Sequence, residues 1–190
     1  MDNLIDSNST FKKFDFSSTI TAEDNQNAIQ IVNSIIDSGN YWKNSPKFQT
    51  KENIFARPEP LWLKYRMSFL FSIFMYFDKE VKVGNMQAWS FKTNTAGSED
   101  RENLWHHHQH KPQPQSMSGI MYLEIPDDVE NKDYCGTEFA PNGPEKEGKF
   151  FVKPADYSWL VYPSHYWHRP AMPQSDKYRY IIAADVEILS

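Results

Sequence analysis

Four of the six histidines in this chain fall within five positions, in the stretch LWHHHQHKP, with Gln109 alone interrupting His106, His107, His108 and His110. Side chains alternate sides along an extended strand. His106, His108 and His110 would then share one face, and His107 would point to the other. Two imidazoles at this i, i+2 spacing can hold one cation, since neutral imidazole is a common ligand for iron, zinc, copper and nickel. The tract alone is equally the mark of an exposed, adventitious chelator, so a specific site requires another ligand from elsewhere. Its position mid-chain, between two predicted strands, argues against an appended purification tag.

The remaining histidines, His165 and His168, lie in YSWLVYPSHYWHRPAMPQSDKYRYIIAADV. This segment reads as a strand, a proline-led turn, His168, a proline-rich loop and a second strand carrying Arg179. A third ligand arriving about sixty residues after His108 is what a metal cradle between two sheets would need. Arg179 shares its strand face with Ile181 and Ala183, and burying a guanidinium there is costly without an anion. Its planar fork can hold a carboxylate through two parallel hydrogen bonds. The competing reading is an ordinary surface arginine on a partly exposed strand.

Short runs rich in aromatic and branched residues would position these groups: MQAWSF, SGIMYLEI, GTEFA, KFFVK, YSWLVYP and KYRYIIAADVEIL. Pro, Gly, Asn and Asp separate them, and no helical period recurs, which points to a β-sandwich or barrel. Upstream, Thr21 can cap a helix over AEDNQNAIQIVNSIID, where Ala28, Ile31, Val32, Ile35 and Ile36 keep helical spacing and Gly39 provides a stop. A loop from Asn40 to Arg57 precedes a second helix, roughly Leu61 to Asp78, with Pro58 and Pro60 at its entry. An edge strand is expected near Thr10 to Phe16. The expected architecture is a mainly β domain with two helices packed outside it: residues 1–83 form the N-terminal helical part and residues 84–190 the β core.

The composition excludes several classes. A net charge of −5, with Lys and Arg scattered along the chain, argues against nucleic-acid binding, which needs a basic stripe to displace counterions. The most apolar stretch, LWLKYRMSFLFSIFMYF, contains Lys64 and Arg66 and is too short and too charged for a membrane span. Cys135 is the sole cysteine, so neither an internal disulfide nor a cysteine-based zinc site is available. The first residues, MDNLIDSNST, show no apolar signal-peptide region. A reducing, cytoplasmic location is expected.

In order, the W-x-H-type histidine pair, SGIMYL, GTEF, YPSHYWHRP and an arginine eleven residues after His168 resemble the 2-oxoglutarate- and Fe(II)-dependent oxygenases of prolyl-hydroxylase layout. The resemblance covers roughly Met86 to Val186. It implies a double-stranded β-helix (jelly roll, cupin-like), with Fe(II) as metal, 2-oxoglutarate as co-substrate and O2 as oxidant. It implies hydroxylation of a C–H bond in a small-molecule or peptide substrate. His168 matches the distal iron ligand, Arg179 the residue that binds the far carboxylate of 2-oxoglutarate, and Tyr122 a tyrosine that helps hold that carboxylate. Counting from the tryptophan makes His106 and His108 the proximal ligands, whereas counting back from SGIMYL makes them His108 and His110. Trp89, Trp105, Trp159 and Trp167 could wall the pocket or belong to the core, and the polar stretch from Pro126 to Lys149 could serve as a lid.

One departure stands out. Such iron sites commonly combine two histidines with one carboxylate, and no HxD or HxE occurs here. A remote acid such as Glu138 or Asp100 could complete the site. Two rival readings follow: a three-histidine cupin-type dioxygenase that uses no 2-oxoglutarate, and a non-catalytic metal-binding β-helix module. Neither rival requires Arg179 or Tyr122.

Overall fold

The computed structural model describes residues 10–44, 47–94, 104–108, 115–129, 135–171 and 175–189. Two helices and ten strands follow one another as β1 (Lys12–Asp15), α1 (Ala22–Asp37), β2 (Tyr41–Asn44), β3 (Lys47–Thr50), α2 (Pro60–Phe77), β4 (Lys82–Thr93), β5 (Gln115–Glu124), β6 (Thr137–Ala140), β7 (Phe150–Val152), β8 (Ser158–Pro163), β9 (Trp167–Pro170) and β10 (Arg179–Leu189). Seven strands form a large antiparallel sheet in the order β1-β8-β5-β10-β4-β3-β2, and three form a small sheet in the order β7-β6-β9. This is the jelly-roll architecture of a double-stranded β-helix.

The large sheet is covered on both faces, and the alternation of its strands divides the core in two. Tyr180, Ile182, Ala184, Val186 and Ile188 of β10 face the helices, together with Met117, Met121 and Leu123 of β5. Ile181 and Ala183 of β10 face the small sheet, together with Ile120 and Tyr122 of β5 and Leu160 and Tyr162 of β8. Double burial explains why these strands read as almost unbroken apolar runs.

Both helices form where their signals lie. Thr21 caps α1 in a reciprocal capping box with Asp24. Pro60 occupies the first turn of α2, where the missing N–H is harmless, and Asp78 closes the helix in a left-handed conformation. Asn25 of α1 donates to the Leu123 carbonyl of β5 (3.1 Å) and accepts from the Tyr65 hydroxyl of α2 (2.7 Å). One buried amide therefore joins both helices to the sheet. Among the described residues, no helix is long and apolar enough to cross a membrane.

Two segments differ from expectation. The loop expected over 40–57 holds the hairpin β2–β3, which extends the large sheet beyond β4, and a 3-10 turn at Ile54–Ala56. Residues 1–83 thus supply three strands as well as two helices. The hairpin lies at the sheet edge, so its sequence, YWKN and KFQT, alternates with polar residues and lacks the apolar density of a central strand. The strand expected at GTEFA is β6 (Thr137–Ala140), paired with β9, and it interrupts the stretch 126–149 that the lid reading takes as one loop.

Gly119 marks the closest approach of α2 to the sheet. A Cβ there would collide with the Phe69 ring and stand 3.1 Å from Trp159. Gly119→Ala should therefore overpack this contact and cost ~1–3 kcal/mol. The expected result is a lower Tm by calorimetry, with secondary structure retained.

Candidate metal and carboxylate site

Strands β4, β5, β8 and β10 turn alternate side chains toward the small sheet, and the site lies between the two layers. His106 and His168 face each other across an isolated antiparallel bridge, with main-chain hydrogen bonds in both directions (3.1 and 2.9 Å). The His108 N–H donates to the Ser164 carbonyl (2.9 Å). The backbone thereby brings together two segments about sixty residues apart in sequence. The imidazoles follow: ring centroids are 4.3 Å apart for His106–His168, 5.0 Å for His108–His168 and 5.2 Å for His106–His108.

Each of these rings has an acceptor at Nδ1: the Leu104 carbonyl for His106 (2.7 Å), the Asp185 carboxylate for His108 (2.8 Å) and the Tyr166 carbonyl for His168 (3.0 Å). Carbonyl and carboxylate oxygens only accept, so the neutral rings carry their hydrogen on Nδ1 and keep the Nε2 lone pair as the ligand atom. One ligand atom from each ring lies within 4.8 Å of the other two. The donor set fits a borderline divalent metal such as Fe(II).

His110 and Asp100 lie outside the described residues. Glu138 is on the outward face of β6, paired with Arg169 (2.6 Å), and lies apart from the three imidazoles. His107 also points outward, with its ring 4.6 Å from that of Trp167.

One cavity between the two layers is lined by the three histidines and by Arg179. Arg179 is 1% exposed. Its Nη1 donates to the carbonyls of Cys135 (2.7 Å), Gly136 (3.2 Å) and Ala171 (2.7 Å). Its Nε is buried without a hydrogen-bond partner, as is the Thr93 hydroxyl on the facing position of β4. Among the described residues no carboxylate pairs with this guanidinium. Burial accordingly pushes its pKa down, against the opposing influence of Tyr122 and Cys135. Tyr122 also lines the cavity, its hydroxyl hydrogen-bonded to Thr137 (2.8 Å), and burial raises its pKa. An unpaired buried cation beside unsatisfied donors is the signature of an anion site.

The four tryptophans divide. Trp89 lines the cavity and packs on His108 (5.6 Å). Trp159 belongs to the opposite core, 4.8 Å from Phe69, because its odd position on β8 faces α2. Trp105 stacks on Arg169, and Trp167 lies beside His107, both away from the cavity lining. Sequence reasoning passed over Asp185 and Thr93. Alternation could have found both, since Asp185 continues the Arg179, Ile181, Ala183 face and Thr93 the Trp89, Phe91 face.

No protein-family model matches this chain, and neither does any curated protein. Among solved structures, it is similar to a prolyl hydroxylase from Trichoplax adhaerens in complex with a peptide fragment of the hypoxia inducible factor oxygen degradation domain. Identity is 12% over 95% of this chain and 84% of that one, with a TM-score of 0.64. It is also similar to HygX from Streptomyces hygroscopicus with nickel, 2-oxoglutarate and hygromycin B bound (8% identity, 94% of this chain and 83% of that one, TM-score 0.63). A third similar structure is the viral collagen prolyl hydroxylase of Paramecium Bursaria Chlorella virus-1 in its 2-oxoglutarate complex (12% identity, 94% and 96% coverage, TM-score 0.59). At such low identity the likeness establishes the fold.

Proposed function

We propose that this chain is an Fe(II)- and 2-oxoglutarate-dependent oxygenase that hydroxylates a C–H bond of a small-molecule or peptide substrate. The observation that carries this reading is Arg179, a buried guanidinium without a counter-anion among the described residues, in the same cavity as three converging imidazoles. His106, His108 and His168 would hold the metal. With Fe(II) and 2-oxoglutarate bound, the centre would supply the dioxygen activation that places a hydroxyl on carbon.

The protein's own contribution is to hold and to exclude. The three imidazoles converge in the cavity and would hold the metal there through their ring nitrogens. Arg179 Nε and the Thr93 hydroxyl offer donors for the distal carboxylate, and Tyr122 adds a hydroxyl beside them. Trp89, Phe91 and Ile181 form apolar cavity walls that keep water from the reacting carbon. The similar structures carry a peptide in one case and hygromycin B in another, which supports the substrate class and leaves its identity open. We read the described residues as one domain, and the buried thiol of Cys135, the single cysteine of the sequence, suits a reducing cytoplasm.

Anaerobic calorimetry tests the proposal. Fe(II)-loaded protein should bind 2-oxoglutarate, and metal-free protein should bind it far more weakly or not at all. Metal binding without any 2-oxoglutarate binding would overturn the proposal and favour the three-histidine dioxygenase or the non-catalytic module.

A further inference from the structure

An all-histidine triad brings three neutral ligands to a divalent cation and leaves both positive charges uncompensated by the protein. A carboxylate ligand would cancel one of them. The large sheet places an acid one bond away. Asp185 of β10 accepts from His108 Nδ1 (2.8 Å), and both side chains are mostly buried, at 14% and 15% exposure. The same oxygen accepts from the Ser118 hydroxyl (2.6 Å) on the position of β5 directly opposite. Ser118 is in turn hydrogen-bonded to Ser164 (2.8 Å), and its Oγ lies 3.4 Å from His108 Nδ1. The Ser164 carbonyl receives the His108 N–H, so this chain of contacts closes on the residue it begins from.

We propose that Asp185 is a positioning residue that supplies through His108 the negative charge and orientation which the triad itself lacks. This inference rests on the metal-site reading above. Asp185 holds the Nδ1 hydrogen, presents the His108 Nε2 lone pair to the cation and makes that imidazole a stronger donor. Ser118 and Ser164 lock the carboxylate, and Trp89 limits rotation of the ring from its other side. The interaction is electrostatic and hydrogen-bonded throughout, and no proton changes owner.

The test is anaerobic titration of metal-free protein with Ni(II), alongside the Tm of the same metal-free samples. Asp185→Ala should weaken Ni(II) binding ~10–100-fold. Asp185→Asn should fall between Asp185→Ala and wild type, because the amide oxygen still accepts from Nδ1 while the charge is gone. Ser118→Ala should weaken binding by a smaller factor, and it keeps the test open if Asp185→Ala fails to fold. Unchanged Ni(II) affinity in these variants, with a lowered Tm, would overturn the inference and leave Asp185 as a partner for buried hydroxyls. Wild-type protein that binds no Ni(II) would overturn the metal reading as well. Wild-type protein that binds Ni(II) but not 2-oxoglutarate would overturn only the oxygenase reading, with the dependence on Asp185 intact.

Discussion

Alanine in place of His168 should leave the protein folded and take away its metal. The contacts that hold this position are largely main-chain: the bridge to His106 and the pairing of β9 with β6 both survive truncation of the ring. Truncation also takes the ring from the buried Tyr162 hydroxyl, 3.2 Å from its Nε2, so some loss of stability is expected alongside the loss of metal. The imidazole itself is irreplaceable. Two nitrogens on one edge bind a cation far less tightly than three on a face, and affinity should fall by more than about a hundred-fold, beyond what loss of a supporting contact causes. Metal titration of the variant, with circular dichroism as a check on folding, gives the result directly. Undiminished metal binding in a folded His168→Ala protein would place the metal elsewhere.

The second large effect concerns the other end of the cavity, where Arg179→Lys is the informative substitution. Alanine would strand the three carbonyls that Nη1 serves, and the resulting loss of stability would blur the readout. Lysine keeps the positive charge and can reach some of those oxygens, but it has no planar fork with which to meet a carboxylate in two parallel bonds. Binding of 2-oxoglutarate to the metal-loaded variant should weaken by about a hundred-fold or more, roughly 2.7 kcal/mol. Metal affinity should stay at the wild-type value, because Arg179 touches none of the three imidazoles. Calorimetry at saturating metal separates the two constants. A lysine variant that binds the co-substrate as tightly as wild type would mean that Arg179 serves only its carbonyl contacts.

The legible parts of this protein are those where local and tertiary signals agree. The helix Ala22–Asp37 carries its own capping box and apolar spacing, and Arg179–Leu189 reads as a strand because both of its faces are buried. The mainly β class followed from such strands and the jelly roll from the family resemblance, while the separation of His107 from its neighbours followed from alternation alone. The hairpin Tyr41–Asn44/Lys47–Thr50 was illegible because an edge strand needs little apolar content and takes its pairing from β4. Trp159 shows the limit of composition: a tryptophan near a histidine motif invites a place in the pocket, and only its parity on β8 sends it to the helix side. Alternation along β10 reaches the face of Asp185 but not its partner: His108 is 77 positions away in the chain, so no local window contains both.

The two-segment origin of the triad has a thermodynamic consequence. The folded chain would bind a cation with ligands from distant segments, but the unfolded chain still carries HHHQH as one continuous tract. That tract competes for the same ions. A metal that binds both states stabilises the folded one only by the difference between the two affinities. Added metal should therefore raise Tm by less than the native-state affinity alone would suggest, and a chelator present during refolding should remove that competition.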